Sequence, residues 1–343
     1  MQNKKSGLRN AAIFALVLLA TLYGVFHGQD IGALRDALAQ CRADRLIWAA
    51  GCVLLFILCD AENMWILLDS FGMGLSRWLC FLSSCVGFFF CAVTPSASGG
   101  QPMQVYYLRK KGIPVSVSSM ALVVMAIAFK LTLVIPGVLL LVFGHGFLAE
   151  HLGGMMFLYY LGLLVTGGWT VFLILLMLRP RLARSILIWG MSVLEELHLL
   201  KNREERQTSL EVAMDLYRDT SEHIRRHPML MLKVFAVALL RRCAILTVTW
   251  CVYWALGLSG TSWLTVVLLQ AVISICADML PVPGGMGASE GLFLKVYGPV
   301  FGSLALPGML LSRGIGHYCQ MLLCGLFTLP AILRLDRQTQ ESS

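Results

Sequence analysis

The residues best placed to do chemistry in this sequence are charged side chains set inside apolar runs, next to two proline–glycine breaks. The clearer break is Leu280-Pro281-Val282-Pro283-Gly284-Gly285-Met286-Gly287-Ala288-Ser289-Glu290-Gly291, which stands between apolar runs at 263–280 and 292–297. Its prolines remove backbone donors and its glycines open conformations closed to other residues, so a helix cannot pass through it unbroken. At membrane depth such a break survives only inside protein or beside a wet cavity. Broken helices of this kind form substrate sites in transporters. Glu290, just past the break, is a carboxylate that needs a partner or a task at that depth. The alternative reading is a loop at the membrane surface.

A second break, Thr94-Pro95-Ser96-Ala97-Ser98-Gly99-Gly100-Gln101-Pro102, follows the apolar run 78–93 and precedes a short run, 103–108, and then Arg109-Lys110-Lys111. Neither arm has the roughly 20 residues a span needs, and the basic cluster favours the cytoplasm. The pattern predicts a re-entrant hairpin over 78–108, entered from the cytoplasm, and a second over 263–299, entered from outside. Interrupted segments in corresponding positions of two halves predict an inverted repeat with a site between them. Backbone N–H groups at such breaks, with helix N-termini, bind anions. Lys130, Arg241, Arg242 and Arg313 add positive charge within apolar runs. The candidate translocation site is therefore Pro95, Ser96, Ser98, Gly99, Gly100, Gln101, Lys130, Arg241, Asp278, Pro281, Pro283, Gly284, Gly285, Gly287, Glu290 and Arg313. A phosphate-bearing lipid headgroup is its natural guest. The competing reading pairs these cations with Asp60, Glu62, Asp278 and Glu290.

The elements that must position these residues follow from composition. The chain has 343 residues, is 58% hydrophobic and 13% charged, and has a mean hydropathy of +0.76. That is the profile of an integral membrane protein. The expected fold is all-α: one polytopic transmembrane domain over 1–343, with about six spanning helices and two oppositely oriented re-entrant hairpins in an inverted repeat. The expected spans are 8–27, 46–70, 114–143, 154–178, 229–257 and 308–333. A short interfacial helix is expected at 30–43, and amphipathic cytoplasmic helices at 183–228. Ala37-Leu38-Ala39 resembles a signal-peptide cleavage site but lies too far beyond the first apolar core. Basic clusters at 4–9, 109–111, 179–184 and 334–337 put both termini in the cytoplasm of a cell (inner) membrane protein. The loops 144–153, 257–262 and 302–307 lack Lys and Arg and are expected outside. Asp60, Glu62 and Asn63 are expected either in a water-filled cavity or as a helix cap at the inner interface.

The net charge of +8 suits loops that face anionic lipid. No basic soluble face is visible, so nucleic acid is not an expected partner. The eleven cysteines are scattered without a CxxC pair and read as small apolar filler. His145 and His151 lack a third ligand nearby, so neither a metal site nor a cofactor is expected. A homo-oligomer is left open.

At the two breaks the sequence resembles the lysylphosphatidylglycerol synthase transmembrane family, which includes flippase halves of larger proteins and stand-alone members. The resemblance rests on Thr94–Pro102 with Gly112 after it and on Pro281–Gly291, and extends over nearly the whole chain in segment order. It implies movement of a membrane lipid, either a phospholipid or a polyprenyl-phosphate-linked lipid, between leaflets. Members often carry an acidic–basic pair in the span after the first motif. Here Ala126-Ile127-Ala128-Phe129-Lys130-Leu131 keeps only the base. The chain stops ten residues after its last expected span, so a stand-alone member without the soluble aminoacyltransferase domain is expected.

Three functions compete. A lipid flippase, not an enzyme, is the leading reading. An intramembrane lipid-modifying enzyme would need a nucleophile or an acid–base pair within hydrogen-bond reach. Glu290 with His317, or Asp278 with Lys130, are its only candidates. A small-solute secondary transporter could use the same hairpins. A groove open sideways to lipid favours the flippase, and a closed vestibule favours the transporter.

Overall fold

The computed structural model describes residues 41–94, 98–179, 203–278 and 288–341, together with residues 39, 181, 182 and 185. Side chains at 43, 203–214, 288 and 334–341 are outside the description. The expected span 8–27 and the interfacial helix 30–43 fall almost wholly outside the described residues, as do most of 183–202 and the tips of both breaks, 95–97 and 279–287.

Among the described residues every regular element is helical. Helix α1 (Ala43–Ser70) runs to a turn where Gly72, at φ +73°, takes a left-handed conformation that side-chain-bearing residues rarely adopt. Ser76 then starts α2 (Arg77–Val93), its hydroxyl accepting from the N–H of Leu79 at 3.3 Å. Helix α3 (Gly100–Lys110) returns antiparallel against α2. A turn at Gly112 and Pro114 leads to α4 (Val115–Phe143). Helix α5 (His145–Leu152) is followed by α6 (Met156–Leu178), α7 (Arg203–Arg226) and α8 (Pro228–Ala255). Helix α9 (Trp263–Asp278) and α10 (Ala288–Phe301) flank the second break. Helix α11 (Ala305–Arg313) passes through a π-helical turn, Gly314–Cys319, into α12 (Gln320–Glu341).

Four stretches are long and apolar enough to cross a membrane: Asp44–Ser70, Val115–Phe143, His145–Leu178 and Ser289–Leu333. The last two include glycines at positive φ, Gly153 and Gly302, so each is bent rather than a single rod. The surface agrees with a lipid solvent: Phe143, Phe157, Leu164, Trp169 and Leu326 are all more than half exposed. This is a multi-pass membrane protein.

Helices α1 and α8 pack along each other at the centre, α2, α4 and α9 pack against one or both of them, and α12 packs on α2. One apolar core gathers Leu108, Ile113, Val117, Met177, Tyr217 and Ile224, so the ends of α3 and α6, the start of α4 and helix α7 share one end of the bundle. Arg109, Lys110, Lys111 and Arg179 are at that end. A second core holds Leu148, Leu152, Tyr253, Phe301 and Ala305 at the other.

Two expectations about loops are corrected. Residues 145–152 form α5 rather than a loop, because Leu148 and Leu152, one turn apart, both bury into the second core. The stretch 302–307 is a helical turn running into α11, not an open loop.

Candidate functional site

Two helix pairs, α2–α3 and α9–α10, begin at opposite ends of the bundle. Helix α2 starts near the basic end, and α3 returns to it. In the other pair, the Tyr297 hydroxyl on α10 donates to the Val266 carbonyl near the start of α9, at 2.6 Å. Phe301 packs edge-on against Tyr253, so α9 begins and α10 ends at the opposite end of the bundle. Asp278 and Glu290, on either side of the second break, and Phe88, on the helix that leads into the first, each meet a charged side chain of another helix.

Three of these charge clusters are closed by ion pairs. Asp278, the last residue of α9, lies 2.7 Å from the ammonium of Lys130, halfway along α4. Glu290, in the first turn of α10, lies 3.3 Å from Arg313 at the end of α11. Arg241 on α8 lies 2.6 Å from Asp60 on α1. Lys130 of α4 is thus paired by a carboxylate from α9. The carboxylates on either side of the second break are each held by a different helix.

The three pairs differ in access. Arg241 and Asp60 are about 10% and 6% exposed, against 26% and 33% for Lys130 and Asp278. The Arg241 guanidinium sits over Phe129 at 4.1 Å, Phe56 at 4.6 Å and Phe88 at 5.3 Å. Arg242 lies over the same Phe129 ring at 3.6 Å and donates to the Phe129 carbonyl at 3.0 Å. Phe129 is therefore held between two guanidinium groups, and Arg241 has no open face. The water-filled cavity expected around Asp60 is instead filled by a cation and aromatic rings. Glu62 is 37% exposed and pairs with Arg77 at 3.2 Å.

Among the described residues, open space lies beside the Lys130–Asp278 pair. A cavity of about 550 Å³ between α4, α6 and the end of α9 has Lys130 and Asp278 at its polar floor. Its wall is Leu164, Val165, Thr166, Gly168, Trp169 and Phe172 of α6. Leu164 and Trp169 are exposed on the lipid-facing surface, so this cavity opens sideways. A Cβ at Gly168 would meet nothing within 4 Å. One turn and a half earlier, Gly162 is tight: a Cβ there would lie 2.5 Å from the Ile275 carbonyl oxygen. Glycines of one helix thus do two jobs, close packing against α9 and clearance for the groove.

The first break is compact rather than roomy. Thr94 donates to the Phe90 carbonyl at 2.6 Å and accepts from the Gly99 N–H at 2.9 Å, which closes the turn. A Cβ on Gly100 would overlap Cys91 and lie 2.7 Å from the Gly87 carbonyl oxygen. Gly87 in turn packs on Gln104. Gly100, a candidate translocation residue from sequence, thus stands in a packed helix crossing. Ser98 and Gln101 are exposed beside it. Pro95, Ser96, Pro281, Pro283, Gly284, Gly285 and Gly287 lie outside the described residues.

Residues 10–324 match the family described as the lysylphosphatidylglycerol synthase TM region. The chain belongs to that family. No curated protein matches it. For a lysylphosphatidylglycerol synthase TM region the match spans nearly all of this chain, and it supports a lipid-related role in the membrane. The residues that sequence reasoning missed are the α6 wall and the Phe56, Phe88 and Phe129 cage. Thr166-Gly167-Gly168-Trp169, a small-residue interruption in an otherwise bulky aliphatic run, was the available signal for the wall.

Proposed function

We propose that the protein moves a phosphate-bearing membrane lipid, a phospholipid or a polyprenyl-phosphate-linked lipid, between leaflets. The headgroup travels through the groove between α4, α6 and α9 while the tails stay in the bilayer. The observation that carries this reading is the part-exposed Lys130–Asp278 pair at the floor of a cavity open sideways to lipid. A side opening suits a molecule whose apolar part never leaves the membrane, and it sets lipid above a small solute.

In this reading α2–α3 and α9–α10 are re-entrant hairpins entering from opposite faces, and six spans frame them. The end carrying Arg109–Lys111 and Arg179 faces the cytoplasm of the inner membrane, since basic residues collect there. Lys130 is the group that meets the phosphate, through a charge-assisted hydrogen bond. An arriving phosphate replaces Asp278 as its partner and frees the carboxylate at the foot of the proline–glycine stretch. When the lipid leaves, the pair re-forms, so no lone charge waits at membrane depth between passages. Chemistry on the lipid is not part of this account.

The test uses purified protein in vesicles holding a headgroup-labelled anionic phospholipid, with a membrane-impermeant reductant outside. The parent exposes inner-leaflet label to the reductant. The double variant Lys130→Gln/Asp278→Asn keeps a neutral hydrogen-bonding pair and is expected to melt close to the parent but to lose exchange. Exchange at the parental rate in that variant would refute the proposal.

A further inference from the structure

A second polar cavity, of about 520 Å³, lies outside the translocation groove, where α7 meets the end of α6. Its lining is Leu178, Arg218, Ser221, Glu222, Arg225 and Arg226. Two bonds fix α7 here. The Tyr217 hydroxyl donates to the Leu176 carbonyl at 3.2 Å, and the buried Ser221 hydroxyl donates to the Met177 carbonyl at 2.5 Å. Tyr217 and Ile224, on the same face of α7, sink into the apolar core between α4 and α6. The arginines are therefore held at a fixed height beside Leu178, the last residue of a membrane-crossing stretch.

The charge in this cavity is unbalanced. Arg226 and Glu222 form an i,i+4 pair at 2.5 Å. No carboxylate lies within 4 Å of Arg218 or Arg225 among the described residues. Seven residues apart, Arg218 and Arg225 lie on one face of α7, two turns from each other. The planar guanidinium fork matches phosphate oxygens, and the exposed rim of Leu178 offers apolar surface to a glycerol or acyl chain beside it.

We propose that Arg218 and Arg225 form a binding site for the phosphate headgroup of an anionic lipid resident in the leaflet at this end of the bundle, separate from the transported lipid. The site commits to a lipid because its floor is the end of a spanning helix and its cations stand at headgroup height. It rests on the reading that this end meets a membrane face, and it does not depend on translocation.

The experiment is lipid retention by the full chain purified in detergent, read by native mass spectrometry with phosphatidylglycerol or phosphatidylcholine supplied at equal concentration. The parent is expected to keep phosphatidylglycerol in preference. Arg218→Gln/Arg225→Gln is expected to weaken that retention by roughly 10- to 30-fold, at about fivefold per arginine. Arg218→Lys/Arg225→Lys, which keeps the charge but loses the planar fork, is expected to fall between the parent and the Gln variant. Both arginines are exposed, so the melting temperature serves as the folding control. Equal retention of both lipids by the parent, or unchanged retention in the Gln variant, would overturn the proposal. So would displacement of the lipid by millimolar inorganic phosphate, which would make this a free-anion site. Loss of retention in the Gln variant with translocation intact supports it and leaves the groove reading untouched. Loss of translocation in Lys130→Gln/Asp278→Asn with lipid retention intact would likewise leave this site standing.

Discussion

The Asp60–Arg241 pair makes a prediction that separates scaffold from transport path. The two groups are 2.6 Å apart and nearly enclosed, with three phenylalanine rings around the guanidinium. Asp60→Asn leaves the cation without its counter-charge in a low-dielectric site, which costs about 3–5 kcal/mol. The aromatic contacts, each worth about 0.5–2 kcal/mol, soften that loss without cancelling it. Arg241→Gln strands the carboxylate instead and empties the space between the rings, for a loss of similar size. With about 2–4 °C per kcal/mol for a mid-sized domain, each single variant should melt roughly 6–20 °C below the parent. Asp60→Leu/Arg241→Met removes both charges at similar volume and should recover most of the loss, because a buried pair contributes little net stability over apolar packing. The assay is detergent melting followed by intrinsic fluorescence, run beside vesicle translocation. If both single variants melt within about 2 °C of the parent, the pair is not the buried lock described. Arg241 was a candidate for substrate contact from sequence. Translocation by the double variant assigns it to the scaffold, and loss of translocation at full stability returns it to the path.

Two further outcomes follow. Gly100→Ala should destabilise the α2–α3 crossing, since its Cβ would stand 2.7 Å from the backbone oxygen of Gly87, and Gly162→Ala should do the same against Ile275. Melting of either at the parental temperature would contradict those contacts. His223 on α7 lies between Phe71 and His227, at 5.7 Å and 4.2 Å between ring centres, and burial, then its neighbour His227, holds its pKa below the usual 6.5. The unfolded chain then binds the proton more tightly, so stability from this group is full above about pH 6.5 and falls as pH drops through that value. The protection of α7 amides relative to their intrinsic exchange rates should fall between pH 7 and pH 5 in the parent, and His223→Phe should flatten that dependence.

What the sequence could tell depended on how far apart the interacting residues are. Run length alone put apolar segments at 78–93 and 263–280, close to the helices Arg77–Val93 and Trp263–Asp278. The charged residues were legible as unusual, because an ionisable group inside an apolar run needs a reason. Their partners were not. Lys130 and Asp278 are 148 residues apart, and only the packing of α9 across α4 brings them together. The packing at Gly100 was hidden for a related cause. A glycine that opens a cavity and a glycine that admits a neighbouring backbone look alike in one dimension. Gly87, one of the partners in that crossing, is a lone glycine in an aromatic run. The helix at 145–152 was missed because its two-leucine face is too short to show a period.

The groove itself is tested most directly by filling it. A Cβ at Gly168 meets no protein atom within 4 Å, so Gly168→Leu places its side chain into the cavity beside Lys130 and Asp278 without straining α6. Headgroup exchange in reconstituted vesicles is measured for this variant at matched protein density and with its melting temperature recorded. Exchange is expected to be lost or cut at least tenfold at an unchanged melting temperature. Parental exchange with the groove filled would contradict the groove reading.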